Sequence, residues 1–140
     1  MKSALTARRP GRPYRVLAVD DDPSSTELTK IALENSGAYL VREVNDPQAA
    51  VAVAQEFAPD LIIMDVDMPR LDGRAAALLI QCKAGLEDVP ILFVTSMIPE
   101  SAGANAFGWL GPLAKPVMPT TLVSTVENIL HQRTTSGSKA

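Results

Sequence analysis

The stretch Leu61-Ile62-Ile63-Met64-Asp65-Val66-Asp67-Met68-Pro69 runs an apolar segment into two carboxylates and then a Met-Pro break, with Asp72-Gly73 just beyond. Four apolar residues, two of them β-branched, read as a fully buried strand. An acid at the carboxyl end of such a strand is either placed in a site or caps the next turn, as Asp commonly does. The same ending recurs along the chain. Val16–Val19 stops on Asp20-Asp21-Asp22-Pro23, Pro90–Val94 on Thr95-Ser96, and Leu110–Ala114 on Lys115-Pro116. Several carboxylates in one pocket repel one another unless a cation is present. Hard oxygen ligands with no His or Cys point to Mg2+, or Mn2+ in its place. A carboxylate beside such an ion is a competent nucleophile toward phosphorus. Lys115 supplies a mobile positive charge and Thr95 a hydroxyl donor for phosphoryl oxygens. The set is suited to forming an aspartyl phosphate.

These residues meet only if the chain brings its strand ends together. Pro23 suits a helix start, and Leu28, Ile31, Ala32 and Asn35 follow at helical spacing until Gly37. A second strand covers Tyr39–Val44. Asp46 caps the next helix with Pro47 at its first position, and Ala50, Val53, Ala54 and Phe57 form its apolar stripe. A third helix is predicted from Arg74 to Lys83 with Leu78 and Leu79 facing in. A weak region separates strand four from the last short strand. Pro119 opens a final helix with Leu122, Val123, Val126, Ile129 and Leu130 on one face. Alternating strands and helices, with the strands as unbroken apolar runs, predict an α/β parallel sheet covered on both faces. In such sheets ligands bind outside the carboxyl ends of the strands, near the point where strand order reverses. Asp20, Asp21, Asp65, Thr95 and Lys115 therefore converge on one edge, which favours the site over the turn cap.

At 140 residues the chain is sized for one domain. Residues 1–14 read as a disordered basic leader, 15–132 as the folded domain and 133–140 as a disordered tail. The net charge of −3 hides an asymmetry, because all 16 acids lie beyond residue 15 while Lys2, Arg8, Arg9, Arg12 and Arg15 precede them. The folded body is near −10 and repels nucleic acid. One cysteine excludes a disulfide framework or a Cys-based zinc site, and Cys82 reads as a small core residue. No apolar run reaches the length of a membrane span and the amino terminus lacks an apolar signal core, so a cytoplasmic location is expected.

In order along the chain, Val19-Asp20-Asp21-Asp22-Pro23, Asp65-x-x-Met68-Pro69-x-x-Asp72-Gly73, Val94-Thr95-Ser96 and Lys115-Pro116 resemble the signatures of response-regulator receiver domains, the phosphoacceptor half of two-component signalling. The resemblance covers roughly residues 15–131. It implies a flavodoxin-like doubly wound sheet of five parallel strands in order 2-1-3-4-5. It implies that Asp65 is the phosphoacceptor, that Asp21 binds the metal directly and Asp20 through water or by charge, and that Asp67 lends a backbone carbonyl. Thr95 and Lys115 would bind the phosphoryl group, with a cis bond at Lys115-Pro116 and with Gly73 allowing a tight turn. Asp67 and Met97 occupy positions at which the family tunes dephosphorylation. The implied partners are a histidine kinase or phosphotransfer protein as donor and a downstream protein target, with room for a phosphorylation-linked homodimer. The chain is then a switch rather than a turnover enzyme.

Two departures stand out. The aromatic residue the family carries three positions before the lysine is Pro112 here, which removes a ladder hydrogen bond and is tolerable only on an edge strand. Either Phe107 or Trp109 would then do the aromatic coupling, or coupling to Thr95 is weakened and partners read another surface. The fourth helix, between strands four and five, is expected to be shortened or irregular, since Gly103 and Gly108 interrupt it. Two other readings compete. One is a degenerate receiver that binds partners without phosphorylation, favoured by Pro112 and the weak helix. The other is a haloacid-dehalogenase-like phosphatase, suggested by Asp65-Val66-Asp67; those enzymes need far more chain after the motif and lack an acidic cluster one strand earlier.

Overall fold

The computed structural model describes residues 12–68, 72–96 and 109–139. Five strands form one sheet: β1 (Tyr14–Val19), β2 (Tyr39–Val44), β3 (Leu61–Asp65), β4 (Ile91–Thr95) and β5 (Trp109–Ala114). All pairs are parallel and the spatial order is β2-β1-β3-β4-β5, as predicted. The strand order reverses at β1 and β3, so the carboxyl ends of those two strands flank the crevice where ligands enter.

Apolar runs become strands here because both sheet faces are covered. Leu17, Val19, Ile62, Met64, Ile91 and Phe93 point to one side, against α2 (Ala50–Phe57) and α3 (Gly73–Gln81). Val16, Ala18, Leu61, Ile63, Leu92 and Val94 point to the other, against α1 (Pro23–Asn35) and the final helix, α4 (Pro119–Lys139). Every residue of β3 and β4 is buried, so period-2 polarity has no place in them.

Local chemistry fixes the helix starts. The Asp22 carboxylate accepts from Ser24 N–H at the start of α1, with Pro23 in the first turn. Asp72 does the same for Arg74 N–H at the start of α3. Such caps are worth about 1 kcal/mol each. Asp46 also caps as expected, but the turn it opens is a short 3-10 segment, Pro47–Ala49, that leads into α2.

Several packing expectations are corrected. Leu28 and Ile31 are exposed, and Thr26 and Leu33 are the buried positions of α1. A threonine can take the inner face because its hydroxyl donates to Glu43, with the Pro23 carbonyl as an alternative acceptor, and accepts from Asn45. On α3, Leu78 and Leu79 are exposed, and Gly73, Ala76, Ala77 and Ile80 face the sheet. Small residues let that helix lie close, which turns the leucines outward. Cys82, read as core, is exposed at the C-cap of α3, where the helix leaves the sheet. The final helix continues to Lys139, past the expected tail boundary. Once the packed part of a helix is formed, each added residue gains a backbone hydrogen bond without needing an apolar stripe.

β5 is an edge strand, and its register against β4 shifts between Leu92 and Val94, which pair with Leu110 and Leu113. The irregularity takes up Gly111 and Pro112, whose peptide bond is cis. Proline thus falls where the ladder is already interrupted. Gly111 has φ of 86°, and a Cβ there would lie 2.8 Å from the Phe93 carbonyl oxygen. The stretch expected to form an irregular fourth helix, with Met97 and Phe107, lies outside the described residues, and so does the basic leader up to residue 11. Trp109 is placed only by its backbone, opposite Ile91 at the start of β5.

Candidate functional site

The sheet brings Asp20, Asp21, Asp65, Asp67, Thr95 and Lys115 to one edge. Asp20 follows β1 directly, its N–H donating to the Val44 carbonyl of the neighbouring strand at 3.1 Å. Asp65 is the last residue of β3, opposite Val94. Thr95 ends β4, and its carbonyl accepts from Lys115 N–H at 2.9 Å, which sets the lysine beyond β5. The Lys115–Pro116 bond is cis, as the resemblance implies.

Three carboxylates form the acidic core. Asp20, Asp21 and Asp65 each offer an oxygen, all within 4.8 Å of one another; Asp20 and Asp65 are buried and Asp21 is exposed. That donor set fits a hard divalent cation with room for water on the exposed side. Lys115 holds the buried pair together: its Nζ lies 2.7 Å from Asp20 Oδ2 and 3.3 Å from Asp65 Oδ1. Burial lowers the Lys115 pKa, but the Asp20 hydrogen bond and the charges of Asp20 and Asp65 outweigh it, so the ammonium titrates above its ordinary value. Asp65 moves upward too. Burial is the largest cause and the Asp20 charge adds to it, against the Asp67 N–H and the Lys115 charge, which lower it. A cation beside Asp65 would oppose that rise.

Gly73 has a different role from the one expected. Its φ is ordinary, yet a Cβ there would lie 2.0 Å from the Asp65 carbonyl oxygen. The first turn of α3 is pressed against the backbone of Asp65, and the Gly73 N–H donates to the Val66 carbonyl at 3.2 Å. Close approach, not turn conformation, requires glycine here.

Two features were not foreseen. Beneath Asp20, the Asn45 side-chain amide donates to the Asp20 carbonyl at 2.8 Å and to Thr26 Oγ1 at 2.9 Å, and Thr26 donates to Glu43 at 2.8 Å. The available signal was that Asn45 follows β2 immediately, next to β1. The second is the Asp67 side chain. Its Oδ2 accepts a short hydrogen bond from Thr95 Oγ1, and also lies within donor range of Ser96 N–H at 3.3 Å and Ser96 Oγ at 3.4 Å. Asp67 N–H meanwhile donates to Asp65 Oδ1 at 3.2 Å. The adjacency of β3 and β4 could have suggested this contact. A cavity of about 510 Å3 opens beside Asp20, Asp65 and Lys115, walled by α1 and the start of α4.

A family model described as the response regulator receiver domain matches residues 16–127. The chain belongs to that family. Receiver domains are signalling switches of two-component systems. This receiver is similar to the protein PilH of Pseudomonas aeruginosa, with 30% identity over 83% of this chain and 97% of that protein. It is 36% identical to the transcriptional regulatory protein TrcR of Mycobacterium tuberculosis over 89% of this chain, and spans 48% of TrcR. It is 35% identical to the sensor protein GacS of Pseudomonas syringae over 87% of this chain, but spans only 14% of GacS. Among solved structures, the chemotaxis protein CheY4 of Vibrio cholerae superposes with a TM-score of 0.77 at 32% identity, covering 84% of this chain and 98% of CheY4. Among the described residues, no helix of the receiver is long and apolar enough to cross a membrane.

Proposed function

We propose that this receiver accepts a phosphoryl group on Asp65 from the phosphohistidine of a histidine kinase or phosphotransfer protein. The observation that carries the reading is a buried carboxylate at the end of β3, with Asp20, Asp21 and Lys115 gathered around it. The Asp67 N–H and the Lys115 ammonium both meet the Asp65 side chain at Oδ1. Oδ2 is therefore the oxygen we assign to attack. It forms a bond to phosphorus while the bond from phosphorus to the donor's imidazole nitrogen breaks, the electron pair leaving with the ring.

Asp20, Asp21, Asp65 and the Asp67 carbonyl would hold Mg2+ or Mn2+, which supplies charge neutralisation for the phosphoryl oxygens. Lys115 leaves its partners among the carboxylates for a phosphoryl oxygen, and Thr95 donates its hydroxyl to another. Met97, beyond the described residues, joins Asp67 in limiting the access of water. The acidic body, near −10, favours output through protein contacts rather than nucleic acid, and the reading places the receiver in the cytoplasm.

The test is incubation with acetyl phosphate and Mg2+ followed by intact mass. We expect one phosphoryl adduct in the wild type and none in Asp65→Asn. An unmodified wild type would overturn the reading in favour of a binding module that works without phosphorylation, and turnover of a generic phosphate ester would favour a phosphatase.

A further inference from the structure

The donors at the carboxyl end of β4 are already occupied. Thr95 Oγ1 donates to Asp67 Oδ2, and Ser96 N–H and Ser96 Oγ lie 3.3 and 3.4 Å from the same oxygen. A hydroxyl has one proton and can donate it to only one acceptor at a time. Donation from Thr95 to Asp67 and donation from Thr95 to a phosphoryl group are therefore mutually exclusive. Thr95 is buried, so its proton cannot be passed to bulk water when the partner changes. Asp67 is also well placed to sense the acceptor, because its N–H is bonded to Asp65 Oδ1.

We propose that the Asp67 carboxylate is an internal stand-in for the phosphoryl group, an anion that holds Thr95 and Ser96 until a phosphoryl group on Asp65 accepts their hydrogen bonds instead. The proposal rests on Asp65 being the phosphoacceptor. Asp67 is then a positioning residue with two effects. It keeps Thr95 in one rotamer before phosphorylation. It also opposes phosphoryl binding, because its bond to Thr95 must break first. A phosphoryl group carries more charge than a carboxylate and three acceptor oxygens, so it wins the exchange, but at reduced affinity. The same contact ties the loop after β3 to the end of β4, so its release is a change of structure as well as of partner.

The test uses Asp67→Asn, which keeps the size of the side chain, and Asp67→Ala, each with and without Thr95→Val. The first readout is the Thr95 χ1 population from NMR couplings in metal-free protein without a phosphoryl donor. We expect one rotamer in the wild type, averaging in Asp67→Ala, and a weaker preference in Asp67→Asn, whose amide oxygen still accepts from the hydroxyl; an unchanged population in Asp67→Ala would overturn the proposal. The second readout is the affinity for beryllofluoride with Mg2+. We expect the Asp67 variants to bind roughly tenfold more tightly, the scale of one charge-assisted hydrogen bond, and this gain to vanish in the Thr95→Val background. An equal gain in both backgrounds would mean that only a negative charge had been removed, and would overturn the proposal. No gain at all would also overturn it. If no protein binds beryllofluoride and the wild type takes no adduct from acetyl phosphate, the phosphoacceptor reading fails and the competition with it, while the χ1 result still decides whether Asp67 holds Thr95.

Discussion

Asp65 carries its charge at a disadvantage. Only 3% of its surface is exposed, and burial, followed by the Asp20 charge, raises its pKa above the ordinary 3.8 despite Lys115 and the Asp67 N–H. Between 3.8 and the raised value the folded protein keeps a proton that the unfolded chain has released. Stability from this group is therefore full below 3.8 and is lost as pH rises through the folded pKa. Asp65→Asn removes the penalty. In metal-free buffer with a chelator, the variant is expected to melt above the wild type at neutral pH, with the gap closing as pH falls toward 3.8. Thermal unfolding of both proteins across that range checks it, and a gap that widened at low pH would contradict it.

At the scale of elements, two contacts hold helices to the sheet in ways that bear on the site. The first turn of α3 lies against the Asp65 carbonyl, with no space for a Cβ at Gly73. Gly73→Ala must push the helix away and is expected to destabilise the domain by about 2–3 kcal/mol. It should also slow acetyl phosphate labelling of Asp65. Urea unfolding and intact mass measure the two effects. On the other face, Glu34 of α1 accepts from Val41 N–H at 3.0 Å and pairs with Lys30, whose ammonium also donates to the Val41 carbonyl. Those bonds cover backbone groups of the edge strand β2. The Val41 bond, then Lys30, lower the Glu34 pKa below 4.5, so its contribution is present above 4.5 and lost as pH falls through the depressed value. Glu34→Ala is expected to cost about 1 kcal/mol at neutral pH and progressively less on acidification, as read from paired urea titrations.

For the whole molecule, the sheet order is what gathers three carboxylates from residues far apart in the chain. One carboxylate oxygen from each of Asp20, Asp21 and Asp65 lies within 4.8 Å of the others because β1 and β3 are neighbours. A cation that binds this cluster binds only the folded state. Mg2+ is therefore expected to stabilise the receiver by about 2.7 kcal/mol at a hundredfold excess over its dissociation constant, with reversal by a chelator. Asp21→Asn should remove most of that gain while leaving the metal-free melting temperature nearly unchanged, since Asp21 is exposed. Calorimetry with and without Mg2+ tests both statements.

The sequence by itself determined the layer architecture, the strand order and the residues at the site edge. Those depend on unbroken apolar runs, on acids, a hydroxyl and a lysine at their ends, and on motifs read in order. It also identified Pro112 as an edge-strand proline, because proline cannot donate to a ladder. Tertiary structure decided what depends on rotation and close approach. Thr26 rather than Leu28 faces inward because Asn45 and Glu43 satisfy its hydroxyl. The small residues of α3 face the sheet and turn Leu78 and Leu79 outward. Gly73 is needed for the space beside Asp65, which no turn propensity encodes. The side chain of Asp67, assigned from sequence only a backbone carbonyl and control of water access, was shown by the fold to hold Thr95. A hydrogen bond between residues 28 positions apart follows from β3 lying beside β4, and only the assembled sheet fixes which of the two neighbouring acids accepts it.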